Sequence, residues 1–204
     1  MGAESYLPGA TTIGLKCKDG VILASEKRVS YGFTLVSKAG KKVFKINNRL
    51  GLACAGMIAD MQAITRALAA EVNLYELENE RIMPIKSAAK LLSVILFNRR
   101  YMPYLTETLI GGIDAEGPHL FVLDPIGSLI EDDYAVLGTG AKIAIGIIET
   151  EYQRGLAVKE GRELAIKAIK AAISRDAVSG DGIDILRITN EGATEESIPL
   201  ISPI

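Results

Sequence analysis

The chain has 204 residues, a formal net charge of -2 and a pI near 5.6, which suits one large domain or two small ones with a sizeable core. No Lys/Arg block stands out as a phosphate-tracking patch, which argues against a nucleic-acid partner. No apolar run reaches the roughly 18 residues that a membrane-spanning helix needs. Hydrophobic residues make up 49% and the mean hydropathy is +0.24, an excess that implies a thick core or large subunit interfaces. The two cysteines, Cys17 and Cys54, are far apart and neither sits in a CxxC. That argues against a disulfide scaffold or a zinc site and fits a reducing, cytoplasmic compartment. The opening MGAESYLPG lacks both the basic and the apolar region of a secretory signal, so residues 1–9 read as a short pro-segment or a tail.

In chain order, residues 11–17 alternate, with Ile13, Leu15 and Cys17 on one parity, and Lys18-Asp19-Gly20 turns the chain into a return strand over 21–25. A second hairpin is expected from 33–37 through Ala39-Gly40 to 41–46, followed by a strand over 50–55. Met61, Ile64, Leu68, Val72 and Tyr75 then recur at steps of three and four, the period of a helix, with Asp60 as its N-cap. Pro84 suits the first turn of a second helix running to about Tyr101, apolar nearly all round and therefore expected to be buried. Strands follow over 106–112, 119–123 and 128–137. Gly138-Thr139-Gly140 opens a third helix to about Gln153, with Gly155 as its cap, and 158–175 makes a fourth. A strand over 182–189 closes the series. Strands, two helices, strands, two helices and a strand argue for an α+β fold of stacked antiparallel sheets with helix pairs outside.

Much common chemistry has no residues to run on. The single histidine, His119, lies in an apparent strand and reads as structural; no GxSxG elbow, P-loop or metal-ligand spacing is present. Three charged features stand in apolar company instead. Lys42 shares strand parity with Phe44 and Ile46, so it needs either a buried partner or a route to solvent. Glu26 and Arg28 continue the parity of Ile22 and Ala24, placed either to ring a buried lysine or to end a solvated strand. Asp176 extends the stripe Ala165, Ile169, Ala172 of the fourth helix, and precedes Ser179-Gly180-Asp181-Gly182. Its alternatives are a site carboxylate and a helix-end acceptor for loop amides.

These residues fall into an order that resembles the proteasome β family of the archaeal type over nearly the whole chain, from about Gly9 to about Ile188. Gly9-Ala10-Thr11-Thr12-Ile13-Gly14 resembles the family's Gly-Thr-Thr-Thr-Val/Ile-Gly processing site. Lys18 to Ala24 with Glu26-Lys27-Arg28-Val29, Gly40 to Ile46, and Ser174-Arg175-Asp176 to Asp184 match three further segments, with support from Tyr101-Met102-Pro103-Tyr104 and Gly111-Gly112-Ile113-Asp114. The resemblance implies the four-layer αββα sandwich of N-terminal-nucleophile hydrolases, a domain over 10–204, and a heptameric β ring between α rings that pass unfolded polypeptides from a regulatory ATPase. It implies no cofactor and no metal.

In that family a threonine freed by self-cleavage attacks peptide carbonyls, with its own α-amine as base. Carried over residue by residue, Lys42, Glu26, Arg28, Asp176, Ser179 and Thr139 are the supporting set. Gly56 is the oxyanion donor, and Ser30, Cys54 and Ile58 line the substrate pocket. The nucleophile's place holds Ala10, which has no oxygen, so the expectation is an uncleaved, inactive subunit. The alternative is Thr11, which strand parity turns to the opposite face unless a bulge re-aims it.

Overall fold

The computed structural model describes residues 9–32 and 34–200; the segment read as a pro-segment lies, apart from Gly9, outside the described residues, as does Phe33. Two five-stranded antiparallel sheets form its centre. The first has the order β10-β1-β2-β11-β12, built from Tyr134–Leu137, Thr12–Cys17, Gly20–Glu26, Gly182–Thr189 and Gly192–Pro199. The second has the order β5-β6-β7-β8-β9, built from Val43–Lys45, Leu50–Gly56, Thr106–Asp114, Gly117–Leu123 and Leu129–Glu131. A separate ribbon pairs β3 (Val29–Tyr31) with β4 (Thr34–Ser37).

Side chains alternate across each strand and so feed two different cores. On β2, Ile22 and Ala24 pack with α3 (Ala141–Glu151) and α4 (Val158–Ile173), while Val21 and Leu23 face the second sheet. On β6, Leu50, Leu52 and Cys54 pack under α1 (Ile58–Asn79) and α2 (Ile85–Asn98), while Ala53 faces inward. The layers are therefore helix pair, sheet, sheet, helix pair, the α+β sandwich that the element order implied. The sheets approach closely where glycines face each other's partners: a Cβ on Gly111 would run into Val21, and one on Gly14 into Leu120. Asp19, in the β1–β2 turn, accepts the Val158 N–H at 2.8 Å and so satisfies an orphan donor at the start of α4.

Several expectations change at this stage. The second hairpin does not form as read: β4 pairs with β3 through a turn at Gly32 (φ +56), and β5 pairs with β6. The stretch 128–137 is two strands in different sheets, broken at Asp132-Asp133, where Asp133 pairs with Lys16 and Arg154. Asp60 is not the N-cap of α1; Met57 precedes the helix, and Asp60 instead accepts the Leu105 N–H at 2.7 Å. The second helix is buried on one face only, with Val94 and Phe97 exposed. Gly155 does not cap α3, which ends at Glu151 with Tyr152 as its C-cap. The fourth helix stops at Ile173, short of Asp176. β12 was missed; its Thr-Glu-Glu-Ser run is an exposed sheet edge without an apolar face to betray it.

Candidate active site

One end of the sandwich gathers the charged features. β1 begins there, β2, β6 and β10 end there, and the α4–β11 loop closes over it. Lys42 sits one residue before β5 and is 1% exposed; its Nζ donates to Glu26 Oε1 and, at 2.6 Å, to the Arg28 carbonyl. Glu26 ends β2, and its other oxygen accepts the N–H groups of Arg28 at 2.7 Å and Gly180 at 2.9 Å. Burial pushes the Glu26 carboxyl up and the Lys42 ammonium down, in each case against the attraction of the other. Arg28 does not join them with its guanidinium, which grips Asp181 at 2.7 and 3.3 Å and the Ala177 carbonyl at 2.8 Å. The buried-partner reading of Lys42 is therefore the one realised, with Glu26 rather than both ring members supplying the side chain.

A second arm runs through hydroxyls. Asp176 Oδ2 accepts Thr139 Oγ1 at 2.6 Å and Ser179 Oγ at 2.7 Å, and its Oδ1 accepts the Val178 N–H at 3.2 Å. A carboxylate only accepts and each hydroxyl has one proton, so both hydroxyls present lone pairs on their far sides. Ser179 Oγ thus receives the Thr11 hydroxyl at 2.9 Å, and Thr139 Oγ1 receives the Ala10 N–H at 3.3 Å. The donor chains converge on one oxygen from Ala10 and Thr11, the two residues just before β1.

Strand parity decides which way those two residues point. Thr12 donates to the Cys54 carbonyl at 2.8 Å, so the even positions of β1 face the other sheet. Thr11 faces the opposite side, fully buried, where a Cβ on Gly140 would strike its Oγ1. No bulge interrupts the β1–β2 register from Thr12 onward. Ala10, 1% exposed, presents a methyl group and no polar side-chain atom.

Gly56 ends β6 at φ +140, and a Cβ there would strike the Leu105 carbonyl. Beside it opens a cavity of about 330 Å³ lined by Ala55, Gly56, Leu105, Thr106, Glu107, Pro125, Gly138 and Thr139. Ser30, Cys54 and Ile58 do not line it. Ser30 is buried on β3, Cys54 is buried on β6 with its thiol toward Thr108, and Ile58 starts α1 against the outer core. His119 stays apart from this end, held by Glu131 at 2.9 Å and stacked on Phe121. Sequence reading missed Asp181, whose only signal is its place after Ser179-Gly180. It also missed Glu107, which carries no motif, and the 2.9 Å hydroxyl pair of Thr12 with Ser25, although Thr12 lies within the quoted opening motif.

A family model described as "Proteasome subunit" matches residues 7–188. The proteasome subunit beta 2 of Caldivirga maquilingensis is 58% identical over 200 residues, covering 98% of this chain and 100% of the relative. This chain belongs to the proteasome β-subunit family. The beta 2 subunit of Pyrobaculum arsenaticum is 54% identical over 97% of each chain, and the beta 1 subunit of Ignicoccus hospitalis is 52% identical over 89% of this chain and 91% of its own. The buried Lys42–Glu26 pair, the Asp176 hydroxyl chains, Gly56 and Ala10 lie together at one end of this β-subunit fold. Among the described residues, no group of three or more His, Cys, Asp or Glu side chains is placed to hold a metal ion, and no helix is long and apolar enough to cross a membrane.

Proposed function

We propose that this chain is a β-type subunit of a cytoplasmic proteasome core particle, one that builds the particle without a nucleophile of its own. Its domain spans 10–204, and residues 1–9 stay attached. Its neighbours are other β subunits in a heptameric ring and the subunits of an α ring, through which a regulatory ATPase feeds unfolded polypeptides. Other β subunits carry the threonine-dependent cleavage.

The observation that carries this reading is the pair of positions just before β1. Ala10 holds the place that the family resemblance gives to the nucleophile, and it offers only a methyl group. Thr11, the alternative nucleophile, faces away from the second sheet with its proton committed to Ser179. Self-cleavage requires a hydroxyl oxygen to attack the Gly9 carbonyl carbon, and alanine supplies none.

The intact mass of the chain after assembly with proteasome α and β partners tests this. A mass that includes residues 2–9 supports the reading; a mass beginning at Thr11 overturns it and makes Thr11 the nucleophile. Ala10→Thr is the complementary variant. With Lys42, Glu26, Asp176, Ser179 and Thr139 already placed, it is expected to lose residues 1–9 and to cleave fluorogenic peptides above the wild-type level. A variant that stays uncut would mean that the remaining residues no longer form a working catalytic set.

A further inference from the structure

The apolar filling between the two sheets thins toward the end that holds Ala10, where Leu137, opposite Thr12 on β10, and Val43, next to Lys42, are its last members. On the first sheet its main members are Val21 and Leu23 on β2 and Leu186 and Ile188 on β11, which face residues of the second sheet. Continuing along the same inward parity toward the site, the next positions are Ser25 on β2, Asp184 on β11 and Glu107 on β7. Three polar links cross between the sheets there instead. Glu26 of β2 pairs with Lys42, whose carbonyl accepts the Cys54 N–H at 2.9 Å as an extension of the β5–β6 ladder. Thr12 of β1 donates to the Cys54 carbonyl at 2.8 Å, and the Gly138 N–H, just past β10, donates to Glu107 of β7 at 3.3 Å.

We infer that the Lys42–Glu26 pair serves in this chain as a structural brace that fastens the two sheets to each other and to the α4–β11 loop where the apolar core thins. The inference rests on the proposed absence of a nucleophile only for its motive; its test reads stability, so the two fail separately. Four bonds converge on Glu26 and Lys42 from β2, the Arg28 backbone, the Gly180 N–H and the start of β5. Deleting one partner leaves the other charge buried and unmatched, which is far worse than deleting both. A frame that catalysis no longer needs is then retained because half of it cannot be lost without penalty.

The experiment is a double-mutant cycle on the full chain, with Lys42→Met, Glu26→Met and the pair together, read by thermal unfolding and by amide hydrogen exchange. Each single variant is expected to melt roughly 10 °C lower and to exchange the Gly180 and Cys54 amides at least about tenfold faster. The double variant is expected to recover most of the lost melting temperature while Gly180, deprived of its carboxylate acceptor, still exchanges fast. If the single variants fail to fold, a double variant that folds carries the same conclusion. Single variants with wild-type melting and exchange would overturn the inference, as would a double variant no more stable than either single.

Discussion

At the scale of single residues, the proposed lack of a nucleophile comes down to the absence of a side-chain oxygen at Ala10, while the neighbouring polar groups remain bonded to one another. The same burial that traps Lys42 and Glu26 acts on the thiols. Cys54 is fully buried, and burial pushes its pKa up to about 12; Cys17, beneath Gly161, is likewise raised to about 12 by burial, with Asp19 and Glu160 adding to it. Alkylating agents react with the thiolate, and at pH 8 both groups lie far on the protonated side of their titration. Both cysteines are therefore expected to resist iodoacetamide in the native chain and to be modified after denaturation, as counted by mass spectrometry. Modification of Cys54 in the folded protein at the rate of a free thiol would show that the end of β6 opens to solvent.

At the scale of elements, legibility followed periodicity. The α1 stripe Met61, Ile64, Leu68 and Val72 is buried as its three- and four-residue spacing required, because one face of a long helix must meet one sheet. Leu68→Ala, which removes a buried branch from that face, is expected to cost about 2–5 kcal/mol in denaturant unfolding, against no more than about 0.5 kcal/mol for Leu77→Ala, whose side chain is 80% exposed. Equal losses would mean that α1 is turned differently on its sheet. Elements without such a signature were not legible. β12 is a charged edge strand, and β9 and β10 run together in composition although they close different sheets. The site shows the same division. Lys42 could be singled out because a cation beside Phe44 and Ile46 breaks a pattern, whereas its partner was settled only by the fold, which turns the Arg28 guanidinium to Asp181 and leaves Glu26 alone with the lysine. Asp176 was placed on a helix it does not belong to; it accepts the Val178 amide of the following loop, as the helix-end reading required, and also the hydroxyls of Thr139 and Ser179.

At the scale of the whole molecule, the high hydrophobic content is only partly absorbed by the three apolar clusters that the layers enclose. The C-terminal end of α2 carries much of the remainder. Tyr101 is 88% and Met102 74% exposed, Phe97 lies beside them, and Arg100 stacks over the rings of Phe97 and Tyr101 at 4.4 and 4.5 Å. Gly127 packs against Phe97, which brings the loop holding exposed Ile126 to the same place. An aromatic and arginine cluster of this kind has the composition of an association hot spot rather than of a solvated surface. Its side chains contribute little to the subunit's own core, so folding and assembly are expected to respond differently to their removal. Tyr101→Ser combined with Met102→Ser should leave the unfolding free energy of the isolated chain within about 0.5 kcal/mol of wild type. The same variant should reduce the fraction of chain that elutes with the assembled particle when it is mixed with proteasome partners at limiting concentration. If assembly is unchanged while stability falls, the cluster belongs to the fold of the single subunit, and the surplus of apolar surface must find its partners elsewhere, on the β3–β4 ribbon with its exposed Tyr31, Leu35 and Val36.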